Sequence, residues 1–103
     1  ILHVNHHGAN NASATDFLDE IRPEMAVISM GNDNRFSHPH RDTLGRLVAS
    51  GVYRIYQTSW GTTTGVVDEE VRRHQAIFQG DVFIRTNGDS YEIFTTRTFA
   101  VDD

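Results

Sequence analysis

The fold is decided by the stretch Met25-Ala26-Val27-Ile28-Ser29-Met30, an apolar run that lies between Pro23 and Gly31. The run lacks the alternation of apolar and polar residues that marks a strand with one face in water. Continuous apolar runs are typical of strands whose two faces are both covered, as in the middle of a parallel sheet. The stretch therefore predicts a central parallel strand.

The segments on either side of this strand extend an α/β pattern. Residues 1–5 and 52–57 read as strands, and residues 15–21 read as a short amphipathic helix that cannot continue far beyond Pro23. A second helix is predicted from Pro39, which suits a first helical turn, to Gly51, which suits a C-terminal stop. Residues 1–57 thus predict strand, helix, strand, helix, strand.

The last third of the sequence changes character. Val67, Val71, His74 and Phe78 recur at helical spacing, which predicts an inserted helix. Asn87-Gly88 then separates two strand-like segments, residues 81–86 and 90–95, and this dipeptide is a strong signal for a tight hairpin turn. With 103 residues and no repeats or linkers, the chain is expected to form one domain or part of one.

Composition narrows the classes of function. The formal net charge is -5 and the nine basic residues are scattered, which argues against a broadly basic nucleic-acid-binding surface. The absence of cysteine excludes disulfides and thiolate zinc sites in this chain and leaves its compartment unknown. No apolar run approaches the roughly 20 residues of a membrane span, so we expect no membrane segment within these residues. Histidine and carboxylate remain as strong metal ligands.

Four of the six histidines form two pairs, His6-His7 and His38 with His40, and both pairs follow predicted strands. Because the carboxyl ends of parallel strands meet at the same edge of a sheet, both pairs should lie on that edge. Neutral imidazole binds divalent zinc or manganese, so the pairs are candidate ligands. The alternative is that they are polar loop residues or helix N-caps.

The segment His38-Pro39-His40 has a further interpretation, because it lies where the second helix begins. A helix N-terminus attracts phosphate and carboxylate, and a histidine there could hold an anionic substrate or protonate a leaving group. Arg35 could add a local positive charge. The alternative is that Pro39 simply starts the helix and the histidines are solvated, and the sequence leaves both interpretations open.

Several segments together resemble one known family. They are His6-His7-Gly8, the polar residues 10–15, the strand that ends in Ser29-Met30-Gly31, the loop over residues 34–40, and the helix that ends at Gly51. In this order they resemble the C-terminal half of a metallo-β-lactamase-fold hydrolase, of the type found as the soluble domain of bacterial competence DNA-uptake proteins. The resemblance covers residues 1–57 and returns in residues 81–95, whereas residues 60–80 look like an insertion that shorter members lack.

The resemblance implies a fold and roles for particular residues. Residues 1–103 would form a single partial domain, half of an αββα sandwich: strand-helix-strand-helix-strand, an inserted helix and a C-terminal β-hairpin. His6 would be a metal ligand and His7 a second ligand or its support. The roles implied for the loop are substrate contact or proton transfer for His38 and His40, and substrate binding for Asn34 and Arg35.

The family's main metal motif, His-x-His-x-Asp-His, and a later bridging aspartate lie upstream of its His-His-Gly turn, and this sequence contains neither. The chain therefore resembles a piece of a longer enzyme, and its first partner would be the missing N-terminal half of the same domain. We expect the 103-residue chain by itself to bind metal poorly and to hydrolyse little.

In the parent enzyme, the resemblance implies that two divalent ions, zinc or else manganese, activate a water that attacks a phosphoester or phosphodiester bond. The substrate would be an anionic small molecule or a nucleic-acid phosphoester, and the acidic net charge disfavours long DNA. A second hypothesis is a non-catalytic α/β binding or oligomerisation module with structural histidines. An exposed apolar sheet face would then favour a homo-oligomer.

Overall fold

A parallel β-sheet forms the centre of the structure, a computed structural model that describes residues 1–31 and 35–95. Within these residues the sheet has four strands, β1 (Leu2–His3), β2 (Met25–Ile28), β3 (Arg54–Gln57) and β4 (Gln75–Ile77), which lie in the order β1-β2-β3-β4. The register places Ala26 of β2 between Leu2 of β1 and Ile55 of β3. The prediction of a central parallel strand is therefore confirmed.

The helices connect neighbouring strands. Helix α1 (Thr15–Ile21) joins β1 to β2, α2 (Arg41–Ala49) joins β2 to β3, and the one-turn α3 (Glu69–Arg72) joins β3 to β4. Crossovers between neighbouring parallel strands are almost always right-handed, and this places successive helices on the same face of a sheet. The core agrees, because Leu18 of α1 and Leu44 of α2 are fully buried together with Ala26, Ile28 and Ile55 of the sheet.

A β-hairpin lies over the other face of the sheet. Strands β5 (Phe83–Thr86) and β6 (Tyr91–Phe94) pair in antiparallel fashion. A cavity of about 650 Å³ lies between the hairpin and the sheet, lined among others by His3 and Val27 from the sheet and by Phe83 and Ile84 from the hairpin. This cavity shows that the hairpin packs loosely on the sheet, whereas the helices pack closely against the opposite face.

The predicted hairpin is confirmed, and its turn is stabilised by one side chain. Oδ1 of Asn87 accepts hydrogen bonds from the backbone N–H groups of Asp89 and Ser90, each at 3.0 Å. Gly88 has a φ of 98°, a conformation that L side chains rarely adopt. The Asn-Gly pair thus forms a turn for the reason that the sequence predicts it.

The inserted helix is shorter than predicted. The observed helix α3 ends at Arg72, and residues 75–77 form β4, which pairs with β3. Nε2 of Gln75 donates to Oε1 of Gln57 at 2.6 Å, and the backbone of His74 accepts from Ile55 N at 2.7 Å. Pairing with β4 satisfies backbone N–H and C=O groups that β3 would otherwise leave unpaired at a sheet edge. These hydrogen bonds favour a strand more than the helical spacing of the apolar residues favours a helix.

The resemblance predicted half of an αββα sandwich, and the coarser part of that prediction is confirmed. The described residues form a mixed α/β structure with a parallel sheet and an antiparallel hairpin. The particular half-sandwich, the single partial domain and the insertion over residues 60–80 stay predictions. Among the described residues, no helix is both long and apolar enough to cross a membrane.

Candidate functional site

The His-His-Gly turn follows β1 in an unusual backbone conformation. His6 and His7 both have a φ of 53°, and Gly8 has a φ of 77°. The left-handed region costs an L-residue about 1–2 kcal/mol, so two successive histidines there represent real strain. Both histidine side chains are exposed while Gly8 is buried. Strain of this kind is held in place by surrounding contacts and is found at functional sites more often than elsewhere.

Gly8 joins this turn to the His38-Pro39-His40 segment. A Cβ atom at Gly8 would lie 2.8 Å from Cβ of Pro39, so the two backbones approach as closely as glycine permits. The carbonyl of Gly8 also accepts a hydrogen bond from the N–H of His40 at 2.7 Å. The two histidine pairs therefore lie at the same edge of the sheet, as the sequence predicts.

Three imidazoles converge at this edge. The ring of His38 lies 5.9 Å from that of His6 and 5.9 Å from that of His7, measured between centroids, and it is stacked on His7 at an interplanar angle of 28°. His6, His7 and His38 are called the histidine cluster below. They come from two loops, one after the edge strand β1 and one after the central strand β2.

A backbone carbonyl fixes the proton of His7. Nδ1 of His7 lies 2.7 Å from the carbonyl oxygen of Ser29, directly after β2, and a carbonyl can only accept. Nδ1 therefore carries the hydrogen, and in the neutral ring Nε2 keeps its lone pair. His6 has a weaker version of the same contact, since its Nδ1 lies 3.4 Å from Oδ1 of Asn11. Outer hydrogen bonds of this type orient histidines that bind metals.

His38 is the titratable group that the cluster perturbs. Burial lowers the pKa of His38, and electrostatic repulsion by the neighbouring imidazoles of His7, His6 and His40 lowers this pKa further. A lower pKa keeps the imidazole neutral near pH 7, which is the form that accepts a proton or binds a metal. His38 also stacks on Phe36, with centroids 5.6 Å apart.

His40 belongs to the start of α2. It is the N-cap residue, and its Nδ1 accepts a hydrogen bond from the backbone N–H of Asp42 at 3.2 Å. The helix was predicted to begin at Pro39, and it begins two residues later, at Arg41. With Nδ1 accepting, the neutral ring carries its hydrogen on Nε2, so His40 is a hydrogen-bond donor at the cluster's border. The helix-cap alternative thus describes His40 correctly.

The two residues predicted to bind substrate are less informative. Arg35 is exposed and lies three positions before His38 in the chain. Asn34 lies outside the described residues. The roles assigned to both, and to His38 and His40, stay predictions.

A turn over residues 61–63, which the sequence did not predict, holds the His38-Pro39 backbone from the other side. A Cβ at Gly61, which has a φ of 71°, would overlap the carbonyl oxygen of His38. Thr62 N donates to that same oxygen at 3.0 Å, and Oγ1 of Thr63 donates to the carbonyl of Pro39 at 2.6 Å. Residues 61–63 are small, and small residues indicate a loop but not what the loop contacts.

Two side chains of α2 hold the segment that follows the His-His-Gly turn, and no sequence pattern predicted either of them. Arg46 donates to the carbonyls of Asn10, Ala12 (2.8 Å) and Ser13 (3.2 Å). Oγ1 of Thr43 donates to the carbonyl of Ala9 at 2.6 Å. The histidine cluster therefore rests on the same helix that His40 caps.

The cluster fits part of a metal site. His6 and His7 present anchored imidazoles, and His38 is kept neutral, which suits nitrogen ligation of a divalent ion. Within residues 1–31 and 35–95, however, no group of three or more His, Asp or Glu side chains is arranged to hold an ion. The described residues can thus supply some ligands of a metal site, and a complete shell would need others.

The fold and this edge define a class of protein: an α/β domain whose parallel sheet carries a histidine cluster at its carboxyl edge. Comparison with curated proteins adds that the chain is similar to bacterial competence proteins. It is 33% identical over 63 residues to ComE operon protein 3 of Bacillus subtilis, and the match covers 61% of this chain and 8% of the relative.

Two further relatives are of the same kind. Competence protein ComA of Neisseria gonorrhoeae is 38% identical over 52 residues, which is 50% of this chain and 8% of the relative. Recombination protein 2 of Haemophilus influenzae is 36% identical over 47 residues, which is 46% of this chain and 6% of the relative. The matches thus span less than a tenth of each relative. No family model matches the chain, and no solved structure matches it.

Proposed function

We propose that this chain is the C-terminal part of a metal-dependent hydrolase of the metallo-β-lactamase superfamily, which acts on phosphoester or phosphodiester bonds. The observation that carries the proposal is the histidine cluster, in which the His38 ring lies 5.9 Å from the rings of His6 and His7, on an edge built from two strand ends. The similarity to competence and recombination proteins supports a nucleic-acid phosphodiester over a small phosphoester.

In this proposal His6 and His7 hold the divalent ion, zinc or else manganese, through their Nε2 atoms. The chemistry that such an ion supplies is activation of a water for attack, by lowering the water's pKa to about 7. The carbonyl of Ser29 keeps His7 in the tautomer that leaves Nε2 ready to bind. The contacts of Gly8 with Pro39 and His40 hold this pair against the loop that carries His38.

The remaining groups act on the substrate. His38, kept neutral by its surroundings, takes up a proton from the attacking water and then passes this proton to the leaving oxygen. His40 donates from Nε2 to an anionic oxygen of the substrate, beside the N-terminus of α2, where free N–H groups favour negative charge. Arg35 adds a positive charge at the same border.

The test is metal content in the longest natural chain that carries this sequence. Mass spectrometry of the purified protein should find less bound zinc or manganese after His6→Ala or His7→Ala, together with loss of cleavage of a model phosphodiester. His3→Ala is the matched control, because His3 lies on the face of the sheet that lines the hairpin cavity. Unchanged metal content in the His6 variant would remove His6 from the proposed site.

The 103-residue chain by itself gives a second test, since its described residues supply only part of a coordination shell. We expect weak binding of zinc and little hydrolysis. Tight stoichiometric zinc binding together with phosphodiester cleavage by this chain would contradict the incomplete site.

One observation favours the alternative, a non-catalytic module that assembles into a homo-oligomer. The hairpin exposes large apolar side chains: Phe83 (39%), Ile84 (46%), Tyr91 (37%) and Phe94 (37%). In the hydrolase, we propose that the missing N-terminal half of the domain packs on this side. Light scattering separates the two proposals. In its longest natural form, a self-associating module should be a dimer or larger species, whereas a completed hydrolase domain should be a monomer.

A further inference from the structure

Phe36 is an exposed aromatic side chain beside the histidine cluster. Phe36 is 67% exposed, a larger fraction than for Tyr53 or Trp60. The ring is nonetheless ordered against a neighbour, since it stacks on His38 with an interplanar angle of 24° and centroids 5.6 Å apart. His38 in turn stacks on His7. A π-face is therefore presented at the end of a short series of stacked rings.

A small apolar cavity adjoins this ring. It has a volume of about 200 Å³ and is lined by His7, Met30, Gly31, Phe36 and His38. Pockets for whole small molecules usually measure about 300–1,000 Å³, so this space suits one planar ring of a larger ligand. Because two of its walls belong to the histidine cluster, a ring placed here would have the rest of its ligand at the cluster.

We propose that Phe36 is a stacking platform for one unpaired base of a single-stranded nucleic acid, whose phosphodiester lies at the histidine cluster. The inference rests on the proposed function and adds to it the substrate class and the residue that recognises it. Aromatic side chains bind single strands in this way because every base has a π-face. A base paired in a duplex has no free face to stack, so the platform selects unpaired strands.

The charge distribution agrees with recognition over a few nucleotides. Arg35 is adjacent in sequence and exposed, and it can pair with a phosphate next to the stacked base. The net charge of -5 gives little attraction for an extended backbone. Stacking, unlike phosphate pairing, does not depend on the number of charges in the ligand, so it is the contact that suits an acidic protein.

The test compares two oligonucleotides with equal phosphate number, a short oligothymidylate and an abasic strand. Binding to the longest natural chain is measured by fluorescence anisotropy at fixed salt, with a chelator present so that neither strand is cleaved. Loss of one stacked base weakens binding by about 5- to 150-fold. We therefore expect about tenfold tighter binding of the oligothymidylate, a ratio that Phe36→Trp keeps and that Phe36→Ala and Phe36→Leu bring close to one.

Phe36→Leu keeps an apolar contact with His38 and removes the π-face, so it separates stacking from support of the histidine. Tyr53→Ala is the control, because Tyr53 is an exposed aromatic at the amino end of β3, and its loss should leave the ratio unchanged. A ratio near one in the unmodified protein, or one that Phe36→Ala leaves intact, overturns the platform. Because binding is measured without metal, its outcome is independent of the metal test. The stacking platform can be wrong while the His6 and His7 variants still lose metal and cleavage, and it can be right while these variants keep both.

Discussion

Replacing glycines one at a time tests how the His38 loop is held. Three variants each replace one glycine with alanine: Gly45→Ala, Gly51→Ala and Gly61→Ala. The added Cβ lies in a different environment in each variant. A Cβ at Gly45 of α2 or at Gly51 has no neighbour within 4 Å, but Gly51 has a φ of 105°. A Cβ at Gly61 combines a φ of 71° with overlap of the His38 carbonyl and a distance of 2.8 Å to Cδ of Pro39.

These differences give an order of stability. Gly45→Ala should raise the free energy of unfolding by about 1 kcal/mol, because alanine is the better helix former. Gly51→Ala should lower it by about 1–2 kcal/mol through backbone strain alone. Gly61→Ala carries the same strain and also pushes apart the hydrogen bonds from Thr62 and Thr63, each of which contributes about 1 kcal/mol, so it should lose about 3–4 kcal/mol in total.

Urea unfolding followed by circular dichroism measures these changes, and the difference between the Gly61 and Gly51 variants isolates the contact with the His38 loop. The histidine ring signals in the NMR spectrum provide a second measurement, since His38 should shift in the Gly61 variant and stay in place in the Gly51 variant. Equal losses of stability in the two variants, with unchanged His38 signals, would refute the argument that residues 61–63 position this loop.

Two other predictions concern groups around the cluster. Arg46→Ala should lower the free energy of unfolding by about 2–4 kcal/mol, since several carbonyls lose a charged donor, and Arg46→Lys should recover part of it in the same urea assay; an unchanged midpoint in the alanine variant would contradict this role. His7→Ala should raise the pKa of His38 toward its ordinary value, as followed by NMR in metal-free protein, because a positive neighbour is removed. Because the pKa of His38 is lowered in the folded protein, the unfolded chain binds this proton more readily. Protonation of His38 therefore lowers the free energy of unfolding as the pH falls through about 6.5, and the loss levels off below the pKa of His38 in the folded protein. The His7 variant should show a weaker dependence of this kind, and an unmoved His38 titration would exclude the coupling.

The fold was predictable where the sequence pattern and the packing agree. Met25–Ile28 is apolar throughout and lies between two strands, and Asn87-Gly88 is at the hairpin turn. The pattern failed at Gln75–Ile77, where residues with helical spacing pair with β3 instead. No local rule predicts that outcome, because it depends on an edge that only the folded sheet presents.

The proximity of the two histidine pairs was predictable, and the contacts that support it were not. Two histidine pairs after two strands indicated a shared edge, and the structure places His6, His7 and His38 there. The contact of Gly61 with the His38 carbonyl, and the hydrogen bonds of Arg46 with residues 10–13, join parts of the chain that are distant in sequence. Such contacts arise from tertiary packing, which a single sequence does not reveal. The start of α2 was predicted at Pro39, two residues before the observed start at Arg41.

The strand order β1-β2-β3-β4, in which sheet order equals chain order, has a consequence for how the molecule assembles. During synthesis each new strand can add to the strand made just before it, so the sheet grows in one direction without waiting for a distant segment. The residues that build and brace the histidine cluster lie within the first 63 positions, ahead of β4 and the hairpin. The site can therefore take shape on a growing sheet before the last third of the chain exists.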